Sequence, residues 1–545
     1  MTIDQTPPRY FWLWHLAALN VIQADFGAVP ATVPPEADSS LRAQHAPAIT
    51  ATLWDGIPTA GKPPATAALI DTGISRMHPN LANRVDTARS IDLTSHRYGA
   101  QTLPVLPDTT PATREENCRF FADLALDGLG ALQLAPHEIE YLEAMVAEYR
   151  GASGVVRRMI DPEETFASHG TSCAGLIAGE PATVAAVAGR DDTAINSNLL
   201  PYFGVDPFSK LLSIRTSFEA DPHQFISAFL YAWSCRVDVI IMPRGLPDPV
   251  RSRLAAKTDL MADLETWRGR QAADLYARLS LGAAPEMDTT AAQRGHLPNR
   301  PWTILKQLIL AISRHIPVVC AAGNDGESQL IYPACLAADD NGIIAVGAVT
   351  AEGFRSGYSN YGDGLTVVAP SDDYEIYNRH QTRLDQTDPL RAMHDYSVGG
   401  ARRYMFSPLD LVTTDLPGVF GYDAGHAPWS YVLPNQGNPG VGQAGVGGGY
   451  YTAFGGTSGA SSLIGGLVLL AQRSRRAQDK AALTGLQAKA LLCAASSLTA
   501  IVAPGTRPLT PDTMNADDED QIEPQYFFGA GLPDAAKLLA AASNL

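Results

Sequence analysis

Four short stretches of the 545-residue chain carry side chains that together could make and break an acyl bond. Ala-Leu-Ile-Asp71-Thr-Gly brings a carboxylate, and Ser-His169-Gly-Thr-Ser-Cys-Ala-Gly brings an imidazole. Cys-Ala-Ala-Gly-Asn324-Asp-Gly brings a carboxamide, and Gly-Gly-Thr-Ser458-Gly-Ala-Ser a hydroxyl. A serine hydroxyl is a weak nucleophile until a base takes its proton. His169 fits that base, and would later protonate a leaving amine. Asp71 would hold the imidazole in one tautomer and stabilise its charged form. Asn324 and the backbone N–H of Ser458 would donate to the oxyanion that forms when a carbonyl is attacked. Alone, Asp-Thr-Gly or Gly-Asn is more often a turn. All four in this order are hard to obtain by chance.

The surrounding residues suit elements that could position them. Ala67 to Ile70 is a short apolar run ending at Asp71, as at the C-terminal end of a buried strand, where α/β sites gather. Ile316-Pro-Val-Val-Cys-Ala-Ala reads as a second buried strand, delivering Asn324. His169 and Ser458 are each followed by small and apolar residues in compact, helix-like runs. Each would then stand at a helix N-terminus, where partial positive charge favours a developing anion.

At this point the chain resembles the subtilisin-like serine proteases, which share the order Asp, His, Ser. The likeness extends to Asp71-Thr-Gly-Ile-Ser-Arg-Met-His78-Pro79-Asn80-Leu81, Gly204-Val-Asp-Pro207, Val237 to Gly245, Ile343 to Val349, Ser359 to Gly362, Val367 to Pro370 and Phe528 to Asp534. Cys173 and Leu411-Val-Thr-Thr-Asp-Leu416 are kexin-like touches. The resemblance implies an α/β fold, a subtilisin-like three-layer sandwich with a mostly parallel central sheet. It also implies a serine endopeptidase using Asp71, His169 and Ser458, with Asn324 in the oxyanion hole. Substrate would lie extended along Met242, Pro243, Arg244 and Gly245, opposite Ala321, Ala322, Gly323 and Asp325. Asp325 suggests tolerance of basic P1 residues. Three departures matter. Ser462 replaces a usual Pro. Pro243-Arg-Gly replaces the usual Ser-Leu-Gly of the substrate wall, altering the S1 pocket. Asn80 replaces an Asp that ligates calcium in many members, and an amide binds a hard cation less well than a carboxylate. No cofactor is required by the chemistry and no residue is assigned to a metal, with structural calcium left as an open alternative.

Length alone suggests about three or four domains, but the motif spacing argues for one catalytic domain over 1–545 with insertions at about 98–160, 246–302 and 372–410. Hydrophobic residues make up 46% and charged residues 18%, with net charge −17 and no basic stripe. Nucleic acid is therefore an unexpected partner. The six cysteines (118, 173, 235, 320, 335, 493) are too scattered for a disulfide framework or zinc cluster. Cys173, four residues after His169, is either a small core residue or a thiol beneath the imidazole. Residues 10 to 22 are apolar but make a poor signal peptide and are too short for a bilayer. No membrane association, a cytoplasmic location and folding without a cleaved pro-domain are the expectations.

In the first insertion, Ile139, Leu142, Met145, Val146 and Tyr149 recur at helical spacing. In the second, Leu260, Leu264, Trp267, Leu275 and Leu279 share a face. Gly437 to Tyr451 is a Gly-rich approach to Ser458, and Asp517-Asp-Glu-Asp520 reads as a solvated loop. Helical blocks by the cleft favour a restricted protein or peptide substrate range, and could bind a regulatory protein. Two alternatives stay open. If water were excluded, the same acyl-enzyme could serve a peptide ligase or cyclase; or the protein could be a catalytically silent binding scaffold.

Overall fold

The computed structural model describes residues 13–25, 48–93 except 77, 126–151, 157–158, 168–181, 202–216, 222–246, 300–372 except 352, 411–416, 421–422, 450–502, 509 and 523–545. The amphipathic stretch Leu260 to Leu279 of the second insertion, the polar insertion after 372, most of the Gly-rich approach and the acidic run at 517–520 lie outside these residues.

Short runs of Val, Ile, Leu and Ala form the sheet. Strands Leu365–Pro370, Ile343–Val349, Val318–Ala321, Val239–Met242, Thr66–Asp71, Lys210–Arg215 and Ile91–Asp92 lie side by side in that order, all parallel. Arg157–Arg158 closes one edge antiparallel. Every residue of Thr66–Asp71, Ile343–Val349 and Leu365–Pro370 is buried. That is the mark of parallel strands covered on both faces, where no polar side is left to alternate with the apolar one. The α/β architecture and mostly parallel sheet expected from the sequence are observed.

From Thr66–Asp71 the chain runs through helix Ser168–Ala178 to the neighbouring strand Lys210–Arg215. It then returns through helix Pro222–Ser234 to Val239–Met242 on the other side, and continues that way through helix Arg300–His315. Right-handed crossovers in opposite directions place their helices on opposite faces of the sheet. Thr66–Asp71 is therefore the switch point, with a crevice at its C-terminal end. Helix Gly456–Ala477 packs on the face of the His169 helix and crosses five strands, from Leu365–Pro370 to Thr66–Asp71. It comes close because Gly465 and Gly466 have no side chain: a Cβ there would stand 2.4 Å from Ile241 Cδ1 and 2.6 Å from Val205 Cβ.

The apolar N-terminal run enters the core as helix Trp14–Ala18, and the following strand Ile22–Asp25 pairs with Ala48–Thr52. The first insertion forms the expected helix, Pro136–Gly151, which buries Leu142, Met145 and Val146. Its Tyr141 hydroxyl lies 2.5 Å from His223 Nε2, in the first turn of Pro222–Ser234. The insertion helix is thereby tied to the start of Pro222–Ser234. Among the described residues no helix is long and apolar enough to cross a membrane.

One buried ion pair joins the far ends of the His169 and Ser458 helices. Asp206 accepts from Arg473 Nε at 2.8 and 3.1 Å, and both residues are almost fully buried. Asp206 lies beside the end of the His169 helix, with its N–H on Ile177 O, while Arg473 belongs to the Ser458 helix. Asp206→Ala would strand the guanidinium and is expected to cost roughly 3–5 kcal/mol of stability, measured by denaturant unfolding.

Candidate active site

Asp71 is the last residue of its strand, opposite Arg215 in register. Its backbone carbonyl accepts from Thr216 N at 2.7 Å, and its Oδ1 accepts from Thr72 N at 2.6 Å. His169 is the second residue of its helix. The two segments are laced together by Gly170 N to Thr72 Oγ1 (3.1 Å) and Ser75 N to Thr171 Oγ1 (3.0 Å). Glycine is required at 170 because a Cβ there would lie 2.1 Å from Gly73 O. The outcome is His169 Nδ1 at 2.9 Å from both Asp71 oxygens, with the carboxylate 1% exposed.

Burial alone would raise the Asp71 carboxyl. The His169 charge and hydrogen bond, Arg244 and the Thr72 N–H outweigh it and hold Asp71 below the usual carboxylate value. Burial likewise works to lower His169, but Asp71, with Cys173 and Tyr422, holds the imidazole well above its ordinary value. With Nδ1 facing the carboxylate, Nε2 is the basic nitrogen. Phe454 packs on the ring at 5.6 Å, and Tyr422 packs on Phe454 at 5.8 Å.

Cys173 lies under the imidazole, its Sγ 3.9 Å from Nδ1 and fully buried, so both readings of this residue hold at once. The Ser462 hydroxyl, one turn beyond Ser458, is near enough to favour the Cys173 thiolate, while burial works the other way and keeps the thiol raised. Ser462 in turn donates to Ser458 O at 2.8 Å, so the usual proline is replaced by a hydroxyl that caps the nucleophile's own carbonyl. The helix carbonyls of Thr171 and Ser172 accept from Thr414 and Thr413, which gives the Leu411–Leu416 motif its structural purpose.

Ser458 is the third residue of helix Gly456–Ala477. Its hydroxyl donates to Pro243 O at 2.7 Å, which places it against the expected substrate wall. Asn324 follows strand Val318–Ala321, and its Oδ1 accepts from both Thr457 N and Thr457 Oγ1 at 2.8 Å. With its oxygen held this way, the amide offers Nδ2 as the donor. Asp372 Oδ1 accepts from Gly456 N at 3.1 Å and from the Tyr358 hydroxyl at 2.6 Å, bracing the turn into the Ser458 helix.

The predicted groove residues fall on two facing strand ends. Met242 and Ala321–Ala322 are buried, so they can offer a ligand little beyond backbone. Gly245 and Gly323 both abut Ile331: an added Cβ would stand 2.7 Å from Ile331 Cδ1 and 2.6 Å from Ile331 Cγ2. Ile331 thus sits between the walls. No motif marks Ile331, and sequence reasoning missed it together with Thr216, Tyr358, Asp372, Tyr422 and Phe454. Asp325 is exposed, its N–H on Asn360 Oδ1 at 2.8 Å. Arg244 departs most from the expected wall: its side chain is buried, over the Phe225 ring at 5.6 Å. Asn80, the position tied by resemblance to calcium, is buried and bonded to Glu180 O and the Tyr451 hydroxyl, so it serves as a joint between segments. Neighbouring His78 lies between Asn80 N and Tyr450 O, with burial lowering it to about 4.

The His169 geometry fixes a pH response. Protonated His169 cannot act as a base, and its value is raised. Any base-dependent acylation should therefore rise with pH through a midpoint above the free imidazole's value of about 6.5. Measuring kcat/KM for a peptide or ester against pH checks this; a midpoint below 6 would contradict the contact.

A profile of the Subtilase family matches residues 65–531. Among curated relatives, "Subtilisin Savinase" of Lederbergia lenta is 34% identical over 114 residues, 18% of this chain and 41% of that protein. "Intracellular serine protease" of Paenibacillus polymyxa is 37% identical over 68 residues, 12% of this chain and 20% of that protein. The chain thus spans less than half the length of these relatives. Among solved structures, the serine protease of Aeromonas sobria aligns over 99% of this chain and 68% of its own, with 16% identity and a TM-score of 0.43. The epidermin leader peptide processing serine protease of Staphylococcus aureus aligns over 90% and 77%, with 15% identity and a TM-score of 0.43. With the family match running from the start of the Asp71 strand past the Ser458 helix, the chain belongs to the Subtilase family.

Proposed function

We propose that this protein is a serine endopeptidase that hydrolyses peptide bonds through an acyl-enzyme on Ser458. The observation that carries the reading is the pair of 2.9 Å contacts between His169 Nδ1 and the buried Asp71 carboxylate. Such a contact has little structural value that an apolar pair could not supply, because burying charge is costly. It does fix one imidazole nitrogen as a base.

The steps follow from that arrangement. Rotation about the Ser458 side chain swings the hydroxyl from Pro243 O toward His169 Nε2. The hydroxyl oxygen attacks the scissile carbonyl as its proton passes to Nε2. Charge collects on the carbonyl oxygen, where Asn324 Nδ2 and the Ser458 N–H are the donors. The imidazolium then protonates the leaving amine as the C–N bond breaks. Water repeats the sequence on the ester and restores Ser458. Substrate would lie extended along Pro243–Gly245, pairing backbone to backbone. The insertion helix packed on the start of Pro222–Ser234 supports a restricted substrate range, and exposed Asp325 supports tolerance of basic P1 residues.

A fluorophosphonate probe should label the native protein and fail to label Ser458→Ala. Labelling that persists in Ser458→Ala, or is absent from the native protein, would overturn the assignment. Asn324→Ala should lower kcat about 10²- to 10³-fold with a smaller change in KM, the loss seen when a subtilisin loses one oxyanion donor.

A further inference from the structure

Arg244 sits in a wall position where the family resemblance puts leucine, yet it does not line the groove. Its side chain turns inward and is 6% exposed. The guanidinium lies over the Phe225 ring and donates through Nη1 to Thr216 Oγ1 at 3.3 Å. Thr216 in turn donates to Asp71 O, through its N–H at 2.7 Å and its hydroxyl at 3.4 Å. A cation is thereby fixed behind Asp71, against the Thr216 that bonds its backbone carbonyl, held from strand Val239–Met242 on one side and from the end of Lys210–Arg215 on the other.

We infer that Arg244 is a positioning residue of the triad, an internal countercharge that holds Asp71 ionised and opposes protonation of His169. This rests on the peptidase reading. The Asp71 contact alone makes imidazolium too stable, because every unit of affinity for the proton must be undone before the base can act. A fixed positive charge behind the carboxylate offsets part of that attraction without touching the imidazole. The groups facing the pair are few among the described residues. Cys173 and Tyr422 face the imidazole. Arg215 donates to Thr72 O but is paired with Asp92 at 3.1 Å, which compensates its charge locally. The Arg244 charge acts on Asp71 through space, from behind Thr216, and burial leaves the guanidinium at about 10, charged at neutral pH.

The sign follows. Removing the cation stabilises imidazolium, so the acid limb moves to higher pH. Arg244→Met keeps the length and the packing on Phe225 while deleting the charge. Arg244→Lys keeps the charge. The rate of Ser458 labelling by a small fluorophosphonate, measured against pH, reads the base without engaging the substrate wall. Arg244→Met should raise the midpoint by about half a pH unit or more, with Arg244→Lys close to native. A midpoint for Arg244→Met within about 0.2 unit of native overturns the proposal. So does a lysine variant displaced as far as the methionine one. Should Arg244→Met not accumulate as folded protein, Arg244→Gln against Arg244→Lys decides by the same shift. Failure of the native protein to label at all would instead overturn the peptidase reading and is distinguishable from an unmoved midpoint.

Discussion

The site depends on one buried carboxylate facing one imidazole. Taking Asp71 out of water is costly, and the fold offsets that cost from several directions: the Thr72 N–H, the His169 ring and the charge of Arg244. None of these partners is local except Thr72. His169 comes from 98 positions later and can approach only because Gly170 rests directly on Gly73 O. The parallel sheet makes this geometry rigid. Asp71 ends a strand buried along its whole length, and Thr216, next along from its register partner Arg215, clamps its carbonyl.

Ser458 is placed by a second set of constraints. Its helix approaches the sheet through Gly465 and Gly466 and is tethered to the His169 side by Arg473–Asp206. The turn before it is held by Asp372 and Tyr358. At Gly455 the approach is so close that a Cβ would fall within bonding distance of Asp372, so glycine is the one residue that fits. Thr457 links this turn to Asn324 through two hydrogen bonds. The Asp71, His169, Ser458 and Asn324 segments are thus linked in a chain: Asp71 to His169, the His169 side to the Ser458 helix, and that helix to Asn324.

Much of this was legible in the chain. Strands Thr66–Asp71 and Val318–Ala321 stood out as apolar runs of strand length, and the two helices as small-residue runs behind His169 and Ser458. The insertion helix Pro136–Gly151 was visible from its period, because burial on one face imposes spacing. Other residues gave no signal. Ile331, Thr216 and Asp372 are ordinary residues in ordinary contexts, and their importance lies in what comes to rest against them. Arg244 misled in a specific way: its place in the motif implied a groove-lining side chain, while its guanidinium found Phe225 and Thr216 behind the wall.

What the sequence determined by itself was the set of reactive types, their order and the elements carrying them, because hydrophobic period and small-residue motifs are local properties of the chain. Tertiary structure alone decided which way side chains turn. A wall residue became a buried cation, Asn80 became a joint to Glu180 and Tyr451, and the Ser458 hydroxyl came to rest on Pro243 O. Those choices depend on partners more than a hundred residues away in several cases. The electrostatics of a buried charge is set by neighbours in space, on which sequence proximity has no bearing.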